Sequence, residues 1–421
     1  MGMSRRQALV SFLATAAGAS LFNLLSPEGT LAQAREKARP LNLKITGLKT
    51  ILTAANVSAG GNIFVKIFTN QGLVGLGLAT QTTKEVSTAA AINEFAPFLI
   101  GRDPSEIERI WEDLYQAPRW RGGPLTAALS AVDIALWDIL GQALGVPIYK
   151  LLGGPIHDKI KVYGGGGGIT PESWAKTKAD GYTISRVGWP QGSVTQMIEY
   201  TKGMRRAAGP DHEIAIHGQG TLPTSDVVQY MKGVEECNLL FVEEPLQMDD
   251  IADWVHLRAH TSTPIATGER LTTKYAFNPY LAGHLIDFAQ PDLCACGGIL
   301  EARKIAAIAE ANRIRMAPHG PHGAAGALAN FHLDAATPNF YVQETRNYQD
   351  QFELDMHEGM VPIVKNGYCE LPDRPGLGTV LNDRVAATKP YVAMVGRNGV
   401  GLGMGRSPQQ QADIRAAAAA P

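Results

Sequence analysis

Six residues of the kinds that carry protons or hold cations, His217, Glu243, Glu269, Asp292, His319 and Glu344, follow one another at intervals of 26, 26, 23, 27 and 25 residues. One such residue per structural repeat is what a single converging site requires, and unrelated surface charges have no reason to keep that rhythm. The first three would sit side by side if their repeats are neighbours. Adjacent carboxylates repel strongly unless something cationic neutralises them. A divalent metal is the simplest neutraliser, and two carboxylates with water and substrate oxygens suit Mg²⁺. The competing reading of Glu243 or Glu269 is a salt bridge with a neighbour such as Arg270. Asp292 and His319 make a natural base dyad, in which the carboxylate fixes the imidazole tautomer and raises its basicity. Glu344 either hydrogen-bonds to a substrate carboxylate or pairs with Arg346, and His322 reads as a polar loop residue.

The elements that must position these side chains are legible as eight short apolar runs, each ending in a chemical residue and followed by helical spacing. They are KVYGG (161–165), YTISRVG (182–188), EIAIH (213–217), LLFVEE (239–244), PIATGE (264–269), LIDFAQPD (285–292), IRMAPH (314–319) and FYVQE (340–344). Eight β/α units in roughly 200 residues is the count and length of a TIM barrel, whose strand C-termini converge on one face. A doubly wound sheet would need a spaced Gly-rich phosphate turn after its first strand, and the five consecutive glycines from Gly164 to Gly168 lack that spacing. They read as a flexible strand-to-helix loop.

Ahead of the barrel, residues 43–77 alternate about an Asn70-Gln71-Gly72 turn, an antiparallel meander. Residues 84–150 then take helical spacing, clearest in LTAALSAVDIALWDILGQALG, which Gly145 and Pro147 stop. The expected fold class is α/β, a modified (β/α)8 TIM barrel with an N-terminal α+β capping domain. The boundaries are 1–34 for an export signal, 43–155 for the cap, 156–370 for the barrel, 371–400 for a C-terminal segment returning to the cap, and 401–421 for a disordered tail.

Composition narrows the partners. A chain of 421 residues with 45% hydrophobic content fills two domains. A net charge of -2 gives no field for phosphate backbones or anionic lipid, so a small molecule is favoured over nucleic acid. Four cysteines without a CxxC pair make neither a disulfide scaffold nor a zinc site, and Cys294 and Cys296 read as small strand residues. Ser4-Arg5-Arg6 precedes an uncharged apolar stretch from Ala8 to Leu25 and then Ala32-Gln33-Ala34, the pattern of a twin-arginine export signal with its cleavage site. It implies a periplasmic protein with no stable membrane association after cleavage. The alternative is an N-terminal anchor, against which the run is short and broken by Asn23.

RGGPLTAALSAVDIALWDILGQALGVPIYKLLGG (121–154), FVEEP (241–245), GER (268–270), QPDLCACGGI (290–299), APHG (317–320) and VQE (342–344) resemble the mandelate racemase branch of the enolase superfamily, particularly its galactonate and mannonate dehydratase-like members. The resemblance implies a cap whose loops close over the barrel, usually a homo-oligomer, and a shared chemistry. A metal and a His or Lys base remove the proton α to a carboxylate, giving a stabilised ene-diolate. By the same resemblance Glu243 and Glu269 match metal ligands, Asp292 and His319 the basic dyad, and Glu344 the acid facing the substrate carboxylate.

Three positions depart from that pattern. The third ligand, normally Asp, falls on His217, which removes a negative charge and favours a softer metal than Mg²⁺. Gln219 stands where galactonate dehydratases resemble one another in carrying a His acid. The Lys-x-Lys of racemases becomes Arg186-Val187-Gly188, and arginine holds a carboxylate or oxyanion but is a poor base. Racemisation needs an acid or base on each face of the α-carbon, whereas elimination of water needs one if His319 returns the proton to the leaving β-hydroxyl. The expectation is a one-base syn dehydration of an acid sugar to a 2-keto-3-deoxy acid, a carbon–oxygen lyase reaction. The alternatives are an epimerase or other lyase on a different carboxylate, and an exported carbohydrate-acid binding protein that kept the barrel and lost the metal. Gln219, Arg121 and Trp120 are read as substrate-facing, the last two from the cap or else as packing between domains. The loops 54–61 and 118–123 are the expected seat of specificity.

Overall fold

The alternation after Leu43 gives each strand one apolar face, and those faces need a partner. In the computed structural model, which describes residues 41–54, 61–119, 121–320 and 322–391, the partner is a long apolar helix. Strands β1 (Ile45–Thr53), β2 (Asn62–Thr69) and β3 (Val74–Ala79) form an antiparallel sheet in chain order. Helices α1 (Glu85–Glu94), α2 (Ile107–Gln116) and α3 (Pro124–Leu144) follow. α3 is buried along most of its length. The expected export signal (1–34), loop residues 55–60, Trp120 and everything after 391, including the tail 401–421, lie outside the described residues.

Two carboxylates inside α3 join the cap to the rest of the unit. Asp138 accepts the backbone N–H of Leu76 on β3 and of Leu377 far downstream, both at 2.8 Å. Asp133 accepts Leu300 N at 3.1 Å, and Ser130 accepts Gly297 N at 2.8 Å, so α3 satisfies donors at the start of a barrel helix. Burial pushes Asp138 up to about 6 against these hydrogen bonds. Asp138→Ala would leave two buried donors unmet, and we expect it to lower unfolding stability by about 2–4 kcal/mol. Asp138→Asn, which keeps an acceptor, should cost less; equal denaturant midpoints for wild type and the alanine variant would contradict this.

The barrel is built from short parallel strands: β5 (Ile184–Gly188), β6 (Glu213–His217), β7 (Phe241–Glu243), β8 (Ile265–Thr267), β9 (Phe288–Ala289) and β10 (Arg315–Met316), each hydrogen-bonded to the next. Before them, β4 (Lys159–Lys161) pairs antiparallel with a segment at 368–370, outside the ring. Single parallel bridges complete the circle: Gly164 to Ser185, Val162 to Gln343, and Phe340 to Met316. The eight runs marked in the sequence thus occupy eight successive places. Each sends one or two side chains into a common interior of Tyr163, Ile184, Ala215, Leu240, Phe241, Ala266, Phe288, Ala317 and Val342, which fills the cylinder so that only its rim is open to chemistry.

Helices α4 (Glu172–Ala179), α5 (Val194–Ala208), α6 (Thr224–Gly233), α7 (Ile251–His260), α8 (Thr273–Ala282), α9 (Gly298–Ala311) and α10 (Ala324–Ala335) alternate with the strands. The segment after the barrel runs back to the cap strands. Asp383 pairs with Lys49 at 2.7 Å and with Lys66, and Lys389 O accepts Ala54 N at 2.9 Å.

Two local expectations need correction. The glycine run 164–168 is a strand-to-helix connection, but α4 ties it down: Thr177 Oγ1 donates to Gly165 O and Trp174 Nε1 to Gly168 O, both at 2.8 Å. Cys294 and Cys296 are buried free thiols in the turn between β9 and α9 and do not lie in a strand. The pairing of β9 ends at Ala289, and the amides of Ala295 and Cys296 fold back onto Asp292 O.

Candidate active site

The strand ends bring the six spaced residues onto one rim. His217 is the last residue of β6 and Glu243 the last of β7, in direct register. Glu269 follows β8 by two residues, and Gly268 is what lets it turn inward. At φ +147°, a Cβ there would fall 2.7 Å from Phe277 and 2.9 Å from the Gln290 carbonyl carbon. Asp292 and His319 follow β9 and β10 and form a parallel bridge with each other. Gly320 then allows close packing, since a Cβ would meet Asn330 and Gln343 at 2.5 Å. Gln219 and Glu244, just beyond β6 and β7, hold left-handed φ angles of 57° and 46°, the kind of backbone strain that gathers at functional rims.

One cluster surrounds Glu243, which is almost fully buried. Arg186 Nε donates to its Oε1 and Oε2 at 3.0 and 2.9 Å, Gln290 Nε2 donates to Oε2 at 3.0 Å, and His217 Nδ1 contacts Oε1. Burial opposes ionisation, but Arg186 and His217 hold this carboxyl well below the usual range. Arg186 continues to Glu344, Nη1 to Oε1 at 3.0 Å. Burial would lower its pKa, yet Glu344, Tyr163 and Glu243 raise it further, so the guanidinium cannot act as a base. The buried Tyr163 hydroxyl stands beside this group without a hydrogen-bond partner among the described residues.

The second cluster is the dyad. His319 Nδ1 lies 3.0 Å from Asp292 Oδ2, and its Nε2 faces Glu269 at 3.2 Å and Glu344 at 3.7 Å. Asp292 Oδ2 also accepts Thr80 Oγ1 at 3.2 Å, the cap's direct contribution to the rim. The Nε2 of His322 comes within 2.9 Å of the same oxygen, although its ring is not aligned for a hydrogen bond. Burial would raise the Asp292 carboxyl, but His322 and His319 hold it well below the carboxylate range. For His319, burial lowers and Glu269, Glu344 and Asp292 raise, and the carboxylates win: its pKa is pushed up to about 10.

Several alternatives resolve. Arg270 pairs with Glu244 rather than with Glu243 or Glu269; burial and then Glu269 raise Glu244 to about 7 against that pairing. Arg346 pairs with Glu353 at 3.1 Å, leaving Glu344 to Arg186. His322 is buried against the dyad, not a solvent-facing loop residue. Arg121 is exposed and turns back on the cap, donating to Gln116 at 2.6 Å and lying over the Tyr115 ring; Trp120 lies outside the described residues. Gln219 stands on the rim two residues past His217, with its carbonyl turned toward Gln247. Gln290, Thr80 and Tyr163 have no place in the strand-end rhythm. Gln290, inside the QPD run, was the one within reach of sequence reasoning, being two residues before Asp292 and so on the same side of the strand.

His217, Glu243 and Glu269 offer ligand atoms within 4.8 Å of one another. Two carboxylates and an imidazole brought together on one rim are a donor set that would hold a divalent metal. The nitrogen donor at 217 widens the choice beyond Mg²⁺. Asp292, His319 and His322 form a second group of the same size, in which His319 Nδ1 and His322 Nε2 both lie against Asp292 Oδ2.

A ring of eight β/α units with an α+β cap, carrying carboxylates and a dyad at its strand ends, is the architecture of a barrel enzyme. Residues 35–153 match the mandelate racemase/muconate lactonizing enzyme N-terminal domain, and 171–385 match the enolase C-terminal domain-like family. The chain belongs to the enolase superfamily, in its mandelate racemase and muconate lactonizing branch. It is 34% identical over 405 residues to the D-galactonate dehydratase family member RspA of Pantoea ananatis, covering 83% of this chain and 94% of that one. It is 33% identical over 358 residues to a D-galactonate dehydratase of Ralstonia pickettii, covering 80% and 93%. A crystal structure of an enolase from Pantoea ananatis with bound D-gluconate and Mg superposes with a TM-score of 0.78 at 31% identity, covering 84% of this chain and 96% of that one. With relatives named dehydratases along nearly their whole length, the chain is an enzyme of the dehydratase-like, carbon–oxygen lyase kind.

Proposed function

We propose that the protein removes the proton α to the carboxylate of an acid sugar and eliminates the β-hydroxyl on the same face, yielding a 2-keto-3-deoxy acid. The observation that carries this is the asymmetry of the rim. His319 is a titratable base with its Nδ1 anchored by Asp292 and its Nε2 turned to the rim, against Glu269 and Glu344. On the second strand stands Arg186, which stays charged at any working pH. One base serves elimination; racemisation needs two.

In this reading the neutral His319, its Nδ1–H donated to Asp292, accepts the α-proton on Nε2. The β C–O bond then breaks, and the same nitrogen delivers the proton to the departing hydroxyl as water; the resulting enol becomes the 2-keto acid. Arg186 binds the substrate carboxylate or holds Glu344 toward it. Gln219, two residues past His217, would touch the sugar hydroxyls. A divalent ion held by His217, Glu243 and Glu269 would stabilise the negative charge that develops on the substrate carboxylate. The bound D-gluconate and Mg of the Pantoea ananatis relative support both the class of ligand and the class of ion. The twin-arginine pattern supports export as part of the same proposal, tested by finding the protein in the periplasm only while Arg5 and Arg6 are intact.

The base must be neutral to work, and the carboxylates of Glu269, Glu344 and Asp292 favour its cation. The contribution of His319 to stability in that state is full below about 6.5 and is lost as pH rises through about 10. A divalent ion at Glu269 would cancel the charge that raises it. We therefore expect the His319 imidazole, followed by NMR, to titrate near 10 without metal and at least one unit lower with Mg²⁺ or Zn²⁺; a titration unmoved by metal would remove Glu269 from the ion's ligands.

The function itself is tested by incubating the exported protein and a divalent metal with a panel of acid sugars and assaying 2-keto acid. Formation of a 2-keto-3-deoxy acid from one member is the expected result. Epimerised substrate without keto acid would move the protein to another reaction of the superfamily.

A further inference from the structure

The guanidinium of Arg186 already stands where a cation belongs. Its Nε reaches both oxygens of Glu243 at 3.0 and 2.9 Å, its Nη2 adds contacts with the same carboxylate and with His217 Nδ1, and its Nη1 holds Glu344 at 3.0 Å. Gln290 Nε2 takes Oε2 of Glu243 at 3.0 Å. Both oxygens of a carboxylate that is 2% exposed are therefore engaged by the protein's own donors. The nitrogen that His217 would offer as a ligand is turned into the same knot.

We propose that Arg186 is the resident counter-cation of this site: it competes with the divalent ion for Glu243, and a substrate carboxylate relieves the competition by drawing the guanidinium away, so that metal and acid bind cooperatively. This rests on His217, Glu243 and Glu269 being the ion's ligands, as read above. Three features carry it. The planar fork of arginine pairs with a carboxylate in two-point geometry, whether that of Glu243 or of a ligand, so the exchange replaces one partner by a like one. A guanidinium and a divalent ion on one buried carboxylate repel each other where water screens little. Of the three candidate ligands one is an imidazole, His217, which brings no negative charge to favour the ion over the arginine. Linkage makes the effect reciprocal: whatever factor the acid adds to metal affinity, the metal adds to acid affinity.

Metal-stripped wild type, Arg186→Met and Arg186→Lys are titrated calorimetrically with MnCl2, with and without sodium gluconate. Without acid, Arg186→Met is expected to bind Mn²⁺ about tenfold tighter than wild type, with Arg186→Lys between them. Gluconate is expected to raise wild-type affinity about tenfold and to raise that of Arg186→Met by much less, the remainder reflecting direct contact of acid and ion. The proposal is overturned if both variants, folded by circular dichroism, bind Mn²⁺ no tighter than wild type, or if gluconate has the same effect, including none, on all three. Equal and tight binding by wild type and Arg186→Met defeats this inference alone, whereas absence of Mn²⁺ binding in every protein also defeats the metal-assisted reaction.

Discussion

His319→Asn is expected to abolish α-proton exchange and dehydration together, lowering turnover by about 10³-fold, within the range that a positioned general base contributes. Asparagine can still take the place of Nδ1–H toward Asp292, so the carboxylate keeps a partner, but nothing remains at the position of Nε2 that can accept a proton. The measurement is deuterium incorporation at the α-carbon in D2O alongside keto-acid formation, with metal present. Full exchange in the variant would show that another group takes the proton. Since Arg186 cannot do so, Tyr163, whose buried hydroxyl is without a hydrogen-bond partner among the described residues, would be the first place to look.

Glu243→Ala should be as damaging for a different reason. Glu243 is the point at which the Arg186 fork, His217 and Gln290 meet. Removing it leaves a mostly buried guanidinium with Glu344 as its one remaining carboxylate partner and Gln290 Nε2 without its acceptor. Breaking a buried ion pair by deleting one partner costs about 3–5 kcal/mol, and the midpoint of denaturant unfolding reads that loss. The same change would remove one of the two carboxylates proposed as metal ligands, so Mn²⁺ binding should fall by at least tenfold. Glu243→Gln separates the two effects, because it keeps the shape and a carbonyl acceptor for Arg186 but not the charge. A stable glutamine variant that still binds Mn²⁺ as wild type does would exclude residue 243 from the metal site.

Much of the rim was legible because a closed barrel imposes a period on its chemistry. The interval from His217 to Glu243 to Glu269 is the length of one strand, one helix and two loops, and Glu243 indeed sits in register beside His217. Asp292 and His319 were legible for the same reason. What the period does not carry is direction. Sequence spacing says that Glu344 ends the last strand but not that it meets Arg186 rather than its chain neighbour Arg346, which turns to Glu353. Nor does it say that Arg270 would choose Glu244, whose left-handed backbone turns its side chain away from the site to which Glu243 points.

Contributions from outside the period were harder to see. Thr80 reaches Asp292 from the end of a cap strand 212 residues away in sequence, a contact that depends on how α3 and its buried carboxylates seat the cap. His322 looked like loop polarity because the PHGPHG segment has no strand or helix pattern, yet folding onto Asp292 buries it. For Arg121 the sequence offers both the pocket and packing between domains; in the fold it lies on Gln116 and over the Tyr115 ring of the cap.

Diffraction from crystals soaked with Mn²⁺ and D-gluconate, recorded for the anomalous signal of manganese, bears most directly on a site in which one ion and one base face one acid. The expected map has a single strong peak within about 2.3 Å of His217, Glu243 and Glu269, with the sugar acid's α-carbon facing His319 Nε2 and Arg186 swung from Glu243 toward a carboxylate of the ligand. A peak between Asp292, His319 and His322, or gluconate bound with no ion at Glu243 and Glu269, would contradict it.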